Sequence, residues 1–226
     1  LCASDSYERR EIGMTTKTIS TRLAIVGRGA KCKGASVVEK SAYISRTTLD
    51  SEYYGKRFYP KYSEDLVHSE ILLPPQAPKE YKDRSVLWNA VERVETHARA
   101  QLARTYNVSL PNEWSHELAK EVMRDYIRRN FVDKGMCAEF AIHDSINPKT
   151  HQMNLHCHIM LTMRPILEDG KWGDKQKKVY KYDRDGNKIR RKNGRYDCAS
   201  VKTTDWDDPD NARRWRKNLA DTASCL

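Results

Sequence analysis

Residues 154–163 (NLHCHIMLTM) constrain the fold most, because polar and apolar side chains alternate along them with the two-residue period of a β-strand. His156 and His158 then lie on one face of this strand. The opposite face holds Cys157, Ile159 and Leu161 and is expected to enter a core. Residues 136–144 (MCAEFAIHD) form a similar segment, and the shortness of the two segments, together with their separation by residues 145–153, predicts an antiparallel hairpin.

The hairpin is expected to place a third histidine near this pair. His143, on the first strand, would lie beside His156 and His158. Three neutral imidazoles on one sheet face suit Zn, Mn, Ni, Co or Fe, and they leave coordination positions for water or substrate oxygens. A His-x-His pair is also common on solvent-exposed strands without a metal, and His151 in the connecting loop is an alternative third ligand.

A further strand is predicted over residues 66–73, where His68, Glu70 and Leu72 share one face. If this strand adjoins the histidine strands, Glu70 is expected to approach the metal as an outer carboxylate or a proton acceptor. The alternative is a surface acid on a half-exposed strand.

The remaining pattern predicts the element order β-α-β-α-α-β-β. The other predicted elements are a strand at 17–26, helices at 35–47, 85–106 and 113–130, and a terminal helix near 213–223. We therefore expect an α+β fold, with an antiparallel-rich central sheet and helices packed on one face. Asp185–Gly186 predicts a turn in a basic C-terminal hairpin region.

The charge balance indicates a polyanionic partner. Lys and Arg number 41 against 31 Asp and Glu, which gives a net charge of +10, and nucleic acid is the commonest partner of such a chain. No apolar run reaches the roughly 18 residues that span a bilayer, so no membrane insertion is expected. The N-terminus lacks the apolar core of a secretory signal, and the cysteines are scattered, so a cytoplasmic protein is expected.

The basic residues concentrate after Pro165. Residues 171–197 carry +7 of the net charge of +10 and interleave it with Trp172, Tyr180, Tyr182 and Tyr196. Cations bind phosphates and aromatic rings stack on bases, so this segment is expected to contact DNA; a solvated charged hairpin is the alternative. The candidate DNA-binding residues are Arg28, Lys31, Lys33, Arg46, Lys177, Lys178, Arg190, Arg191 and Lys192.

Four segments resemble the MobA/MobL family of relaxases in the order in which that family has them. The first, residues 34–61, carries Tyr43 on a small-residue-rich helix just before a basic stretch. Residues 67–95 and 131–148 follow, and 154–165 (NLHCHIMLTMRP) close the match. The resemblance implies 15–165 as the relaxase core. Residues 1–14 would be an irregular extension, and 166–226 a basic hairpin and terminal helix of the same DNA-binding domain.

The resemblance also implies a function. A bacterial relaxase of the HUH type nicks one strand at a plasmid transfer origin, with single-stranded DNA as substrate and accessory mobilisation and coupling proteins as partners. Tyr43 matches the nucleophile, which stays bonded to the 5′ phosphate. His143, His156 and His158 match the ligands of a divalent metal, Mn or Mg in the first place and Zn, Ni or Co otherwise. Glu70 matches an acidic residue near that metal.

Some features depart from the family or leave alternatives open. The loop between His143 and His156 is longer than in many relatives, and Leu155 stands where proline is frequent. Rival nucleophiles lie close to Tyr43 in the chain, namely Tyr53, Tyr54 and Tyr59. The alternative functions are a non-catalytic nucleic-acid-binding module, a metal-dependent nuclease that uses water, and a replication-initiator nickase.

Overall fold

A five-stranded sheet forms the centre of the protein. The computed structural model describes residues 20–29, 35–60, 64–146 and 151–224. The strands are β1 (Thr21–Gly27), β2 (Leu49–Ser51), β3 (Lys56–Phe58), β4 (Leu66–Leu72), β5 (Gln101–Ser109), β6 (Ala138–Ile146), β7 (Met153–Thr162), β8 (Gln176–Tyr180) and β9 (Cys198–Lys202), and the helices are α1 (Val37–Ser45), α2 (Arg84–Val94), α3 (His116–Asn130) and α4 (Asn211–Ser224).

The sheet has the spatial order β1-β5-β7-β6-β4, and every neighbouring pair of its strands is antiparallel. The predicted hairpin of β6 and β7 is confirmed, with His143 opposite His156 and Ala141 opposite His158. β2 pairs with β3, and β8 with β9, in two separate hairpins. The predicted α+β class with an antiparallel-rich sheet is therefore confirmed.

Helices cover both faces of the sheet, whereas the sequence predicted one covered face. Ala141 and Met160 belong to a core on the side of α1 and α2, which we call the α1/α2 face. Phe140, Ile142 and Ile159 belong to a second core with α3 and α4, on the α3/α4 face. The single-face prediction is wrong because the central strands are apolar on both sides, so each side needs a cover.

The helix predicted over 85–106 is wrong in its second half. α2 ends at Val94, and β5 occupies a central position between β1 and β7. Leu102 continues the helical apolar spacing only by coincidence. Tyr106 and Val108 are residue types that favour strands, and hydrogen bonds to a neighbour on each side hold the segment extended.

The turn and the terminal helix predicted for the C-terminal region are both present. Gly186 adopts a φ of 81°, the left-handed conformation that its tight turn requires, and α4 inserts Trp215 and Leu219 into the α3/α4 core. The predicted extension, residues 1–14, lies outside the described residues. No helix in the described ranges combines the length and the apolar character needed to cross a membrane.

Buried carboxylates hold α1 against the rest of the fold. Glu92 of α2 is only 1% exposed and accepts hydrogen bonds from Ser36 Oγ at 2.6 Å and from the Val37 amide at 3.2 Å. Its negative charge therefore lies at the start of α1, where the helix dipole favours an anion. Glu139 of β6 accepts a hydrogen bond from Ser41 Oγ at 2.7 Å in the middle of the helix. These two contacts fix the position of α1 on the sheet.

We expect Glu92→Ala to lower the free energy of unfolding by about 3 kcal/mol, because it leaves buried donors unpaired. These donors include Ser51 Oγ, which lies 2.8 Å from Glu92 Oε2. Urea denaturation followed by circular dichroism measures the change. Glu121→Ala, at an exposed acid on α3, is the matched control and is expected to leave the midpoint unchanged. Equal midpoints for the two variants would contradict the role given to Glu92.

Candidate metal and nucleophile site

Three histidines converge on the α1/α2 face of the sheet. One ring nitrogen from each of His143, His156 and His158 lies within 4.8 Å of the others. The ring centroids are 5.4 Å apart for His143 and His156, 5.0 Å for His143 and His158, and 4.9 Å for His156 and His158. This spacing fits three ligands of a single ion. His151, the alternative third ligand, is exposed in the loop and outside this cluster.

Hydrogen bonds orient two of the rings. His156 Nδ1 lies 2.7 Å from the Asn154 carbonyl oxygen, and His158 Nδ1 lies 2.9 Å from Asn107 Oδ1. If each Nδ1 donates its proton, each Nε2 keeps a lone pair, which is the form in which a histidine binds a metal. Asn107 belongs to β5, the strand that the sequence did not predict.

The third ring uses its nitrogens differently. His143 Nε2 lies 2.7 Å from the Ile44 carbonyl oxygen of α1, so we assign the proton to Nε2. The lone pair of His143 Nδ1 then faces the Arg46 guanidinium at 3.2 Å, so Arg46 has to release this nitrogen before it can bind a metal. Arg46 also forms an ion pair with Asp65 at 2.8 Å, and an Asp65 oxygen lies 3.5 Å from His143 Nδ1. His143 therefore joins the sheet to the end of α1.

Burial keeps two of these imidazoles neutral. It lowers the pKa of His158 to about 3, and the neighbouring His156 and His143 contribute to the same shift. Burial also lowers the pKa of His143. A neutral imidazole is the form that coordinates a metal, so both the donor set and its protonation suit a divalent transition metal.

Tyr43 lies next to this cluster. It is on α1 with 43% of its surface exposed, and its ring centroid is 6.3 Å from that of His158. Lys40 Nζ and the Arg46 guanidinium each lie 4.8 Å from the Tyr43 ring centroid. Two cations beside the ring attract an anionic substrate. The Tyr43 ring therefore lies beside the histidine cluster and close to two cations.

Glu70 does not lie where the sequence placed it. Its carboxylate accepts a hydrogen bond from Arg124 of α3 at 2.8 Å and lies 3.2 Å from His68 Nε2, on the α3/α4 face. The histidine cluster is on the opposite face of the sheet, so the predicted role of Glu70 near the metal is wrong. Asp65, just before β4, is the carboxylate next to His143. The sequence offers no periodic signal for it, because it precedes the strand.

Arg28 does not have the predicted role of an exposed DNA contact either. It is 9% exposed and donates hydrogen bonds to the Glu92 and Glu95 carbonyl oxygens at the end of α2. A cation there satisfies the last carbonyls of the helix. Arg46 lies at the histidine site, as described above. Lys31 and Lys33 lie outside the described residues, and the predicted contacts Lys177, Lys178, Arg190, Arg191 and Lys192 are all exposed.

Comparison with known proteins decides the family. The sequence model of the MobA/MobL family matches residues 35–225. The chain belongs to the MobA/MobL family. The conjugal transfer protein TraA of Agrobacterium fabrum is 35% identical over 195 residues, which are 81% of this chain and 17% of TraA. The probable mobilization protein MobA of Bifidobacterium longum is 31% identical over 166 residues, 73% of this chain and 29% of that protein.

A solved structure supports the fold assignment of this MobA/MobL chain. The structure described as "Molecular Basis of Vancomycin Resistance Transfer in Staphylococcus aureus" superposes with a TM-score of 0.70 and 22% sequence identity, and covers 91% of this chain and 90% of that chain. The chain thus spans only a small part of the length of its TraA relatives but nearly all of this structure.

We expect this MobA/MobL chain to bind one divalent ion through the histidine cluster, measured by calorimetric titration with Mn²⁺. His156→Ala removes a ligand and should abolish binding. Asn107→Ala leaves the His158 ring unoriented and should weaken binding by about 10- to 100-fold. His68→Ala, at a histidine on the opposite face, is the matched control and should bind like the wild type. Equal Mn²⁺ affinities for His156→Ala and His68→Ala would exclude the cluster.

Proposed function

We propose that this domain nicks one strand of DNA at a plasmid transfer origin through a covalent tyrosine intermediate. The observation that carries the proposal is the ring contact of Tyr43 with His158, one of three histidines that cluster on the same face of the sheet. The names of the TraA and MobA relatives, which refer to conjugal transfer and mobilization, support a role in DNA transfer. The net charge of +10 suits a DNA substrate.

The reaction is a transesterification at phosphorus. The Tyr43 hydroxyl loses its proton to solvent, and its oxygen forms a bond to the scissile phosphorus. The bond from phosphorus to the 3′ oxygen breaks, and that oxygen takes up a proton. The 5′ phosphate remains on the tyrosine. A divalent metal held by His143, His156 and His158, Mn or Mg in the first place, would neutralise a non-bridging oxygen of the phosphate.

Lys40 and Arg46 have a matching role. Both cations lie against the Tyr43 ring, so they stabilise the negative charge that develops on the phenol oxygen and on the phosphate. Burial, together with the charge of Arg46, lowers the pKa of Lys40. The Arg46 guanidinium is fixed by Asp65, which holds this charge in one place before the substrate arrives.

The choice of a phenol explains how the strand could later be rejoined. A phenol ordinarily has a pKa of about 10, so phenolate leaves phosphorus more readily than an alkoxide does. The free 3′ hydroxyl can therefore attack the phosphotyrosine and restore the DNA strand. A water-derived nucleophile would give a phosphate monoester and make the cleavage permanent.

Tyr43→Phe is expected to abolish a covalent adduct between the protein and DNA, because it removes the attacking oxygen. The wild-type chain is incubated with Mn²⁺ and single-stranded oligonucleotides that span a candidate transfer origin, and a denaturing gel separates the products. A slowly migrating adduct is expected for the wild type and should disappear when a chelator removes the metal. Tyr59→Phe, at an exposed tyrosine outside the site, should keep the adduct.

Three outcomes would contradict the proposal. Cleavage without an adduct would indicate a nuclease that uses water. Binding of DNA without cleavage at any origin tested would indicate a non-catalytic module. An adduct that survives in Tyr43→Phe but disappears in Tyr53→Phe or Tyr54→Phe would place the nucleophile on another tyrosine.

The basic segment, residues 171–197, is proposed to hold the phosphate backbone of single-stranded DNA. Replacing Lys177, Lys178 and Arg190 together with alanine should weaken binding of single-stranded DNA and reduce its salt dependence, because each lost phosphate contact lowers the slope of log K against log salt by about 0.7. Fluorescence anisotropy at several salt concentrations measures the slope. The control removes Arg128, Arg213 and Lys217, three exposed cations of α3 and α4. An equal change of slope in both triple variants would contradict the assignment.

A further inference from the structure

We propose that Tyr53, at the tip of the β2–β3 hairpin, is a stacking platform for an unpaired base of single-stranded DNA; the inference rests on the function proposed above and adds a binding subsite to it. Tyr53 is 52% exposed. The Arg28 guanidinium carbon lies 3.6 Å from its ring centroid, and the Tyr54 ring centroid is 4.9 Å away, with 77° between the two ring planes. One face of the ring is therefore occupied by a cation, and the exposed half remains available to a base.

The tip of the hairpin is held rigidly, which a platform requires. The Glu52 amide donates to Asn89 Oδ1 at 2.9 Å, and the Tyr54 amide donates to Ser51 Oγ at 3.3 Å. Both acceptors are buried. The backbone is therefore fixed on either side of Tyr53, and little conformational entropy is lost when a ligand stacks on its ring.

Arg28 contributes to this rigidity from below. It is 9% exposed and fixed by hydrogen bonds to the carbonyl oxygens that end α2. A ring stacked on a buried, immobile cation cannot turn away from solvent without losing that contact. The same packing explains why Tyr53 is exposed although it is large and aromatic.

The position of Tyr53 suits a strand that runs toward the nucleophile. The Glu95 carboxylate at the end of α2 pairs with Arg164 at 2.9 Å and with Lys175 at 2.8 Å, and Lys175 directly precedes β8 in the basic segment. Arg28, under Tyr53, contacts the carbonyl of the same Glu95. The platform thus lies where the basic hairpin begins, near the start of α1, whereas Tyr43 lies near the other end of α1.

The charges around the tip also favour an anionic strand. Lys56 is exposed on β3 and has no ion-pair partner among the residues that the structure describes. The one acid at the tip, Glu52, is neutralised by Arg93 at 2.6 Å. Bases have a flat aromatic face whatever their identity, so such a platform accepts single-stranded DNA without reading its sequence.

The test compares the parent protein and Tyr53→Ala on two oligonucleotides. Both proteins also carry Tyr43→Phe, so that no cleavage occurs. Fluorescein-labelled oligothymidylate and an abasic strand of the same length are titrated with each protein, and anisotropy gives the affinity. Tyr53→Ala should bind oligothymidylate about tenfold more weakly, yet bind the abasic strand as the parent does. Tyr53→Phe should retain the affinity, because it retains the ring.

The salt dependence of binding and a control at a second tyrosine separate base stacking from other causes of weaker DNA binding. Tyr53→Ala should leave the slope of log K against log salt unchanged, whereas Lys56→Ala should lower it by about 0.7. Tyr59→Ala, at a tyrosine that is 74% exposed, should bind oligothymidylate like the parent. The melting temperature of Tyr53→Ala should fall only slightly, because the ring lies outside both cores and contributes only its contacts with Arg28 and Tyr54.

The following results would overturn the stacking platform, either alone or together with the proposed function. Equal losses in Tyr53→Ala and Tyr59→Ala, or a tenfold loss on the abasic strand as well, would overturn the platform. Unchanged oligothymidylate affinity in Tyr53→Ala would overturn it while leaving the nicking function intact. Failure of the parent to bind any single-stranded DNA would overturn both the platform and the proposed function.

Discussion

The position of α1 is the constraint on which the rest of the site depends. Nothing in a helix of nine residues fixes its place on a sheet except its contacts, and here two of those contacts go to buried acids. Glu139 receives hydrogen bonds from Ser41 and Trp88 and an ion pair from Arg84 at 3.0 Å. Burial raises the pKa of its carboxyl, while these partners favour the charged form. The His143 ring then closes the far end of the helix against the sheet.

The same arrangement explains the electrostatics around Tyr43. His143 and His158 are kept neutral by burial, which lowers the pKa of each ring, and the fixed positive charges beside Tyr43 are those of Lys40 and Arg46. Asp65 offsets one of them through its ion pair. Under the proposed function, a phosphodiester in this region would meet cations and the three candidate ligands, without an opposing carboxylate from Glu70, which lies on the other face of the sheet. The placement of acids on the two faces therefore matters as much as the ligands themselves.

Much of the fold could be predicted from local patterns, and the failures have one physical cause. Two-residue alternation in 136–144 and 154–163 is visible in the sequence and led directly to the hairpin of β6 and β7. Residues 101–109 carry a helical apolar spacing that continues from α2, and only their pairing with β1 and β7 makes them a strand. Such pairing joins residues that are distant in the chain, and no window of sequence contains it. The central strands are apolar on both faces, and the helices that cover these faces, α1 and α2 on one side and α3 and α4 on the other, are distant from them in the chain.

The candidate site shows the same contrast between local sequence patterns and long-range packing. The three histidines could be predicted because strand periodicity determines which residues share a face, and both strands of the hairpin were recognised. Periodicity also correctly grouped His68 with Glu70, but it does not say toward which side of the sheet a group points; α3 decides that, by placing Arg124 against Glu70. Asn107 orients His158, a candidate ligand, from β5, a strand whose apolar spacing predicts a helix. The three candidate ligands could thus be predicted from local sequence patterns. The residues that orient them lie in elements that only long-range packing brings together.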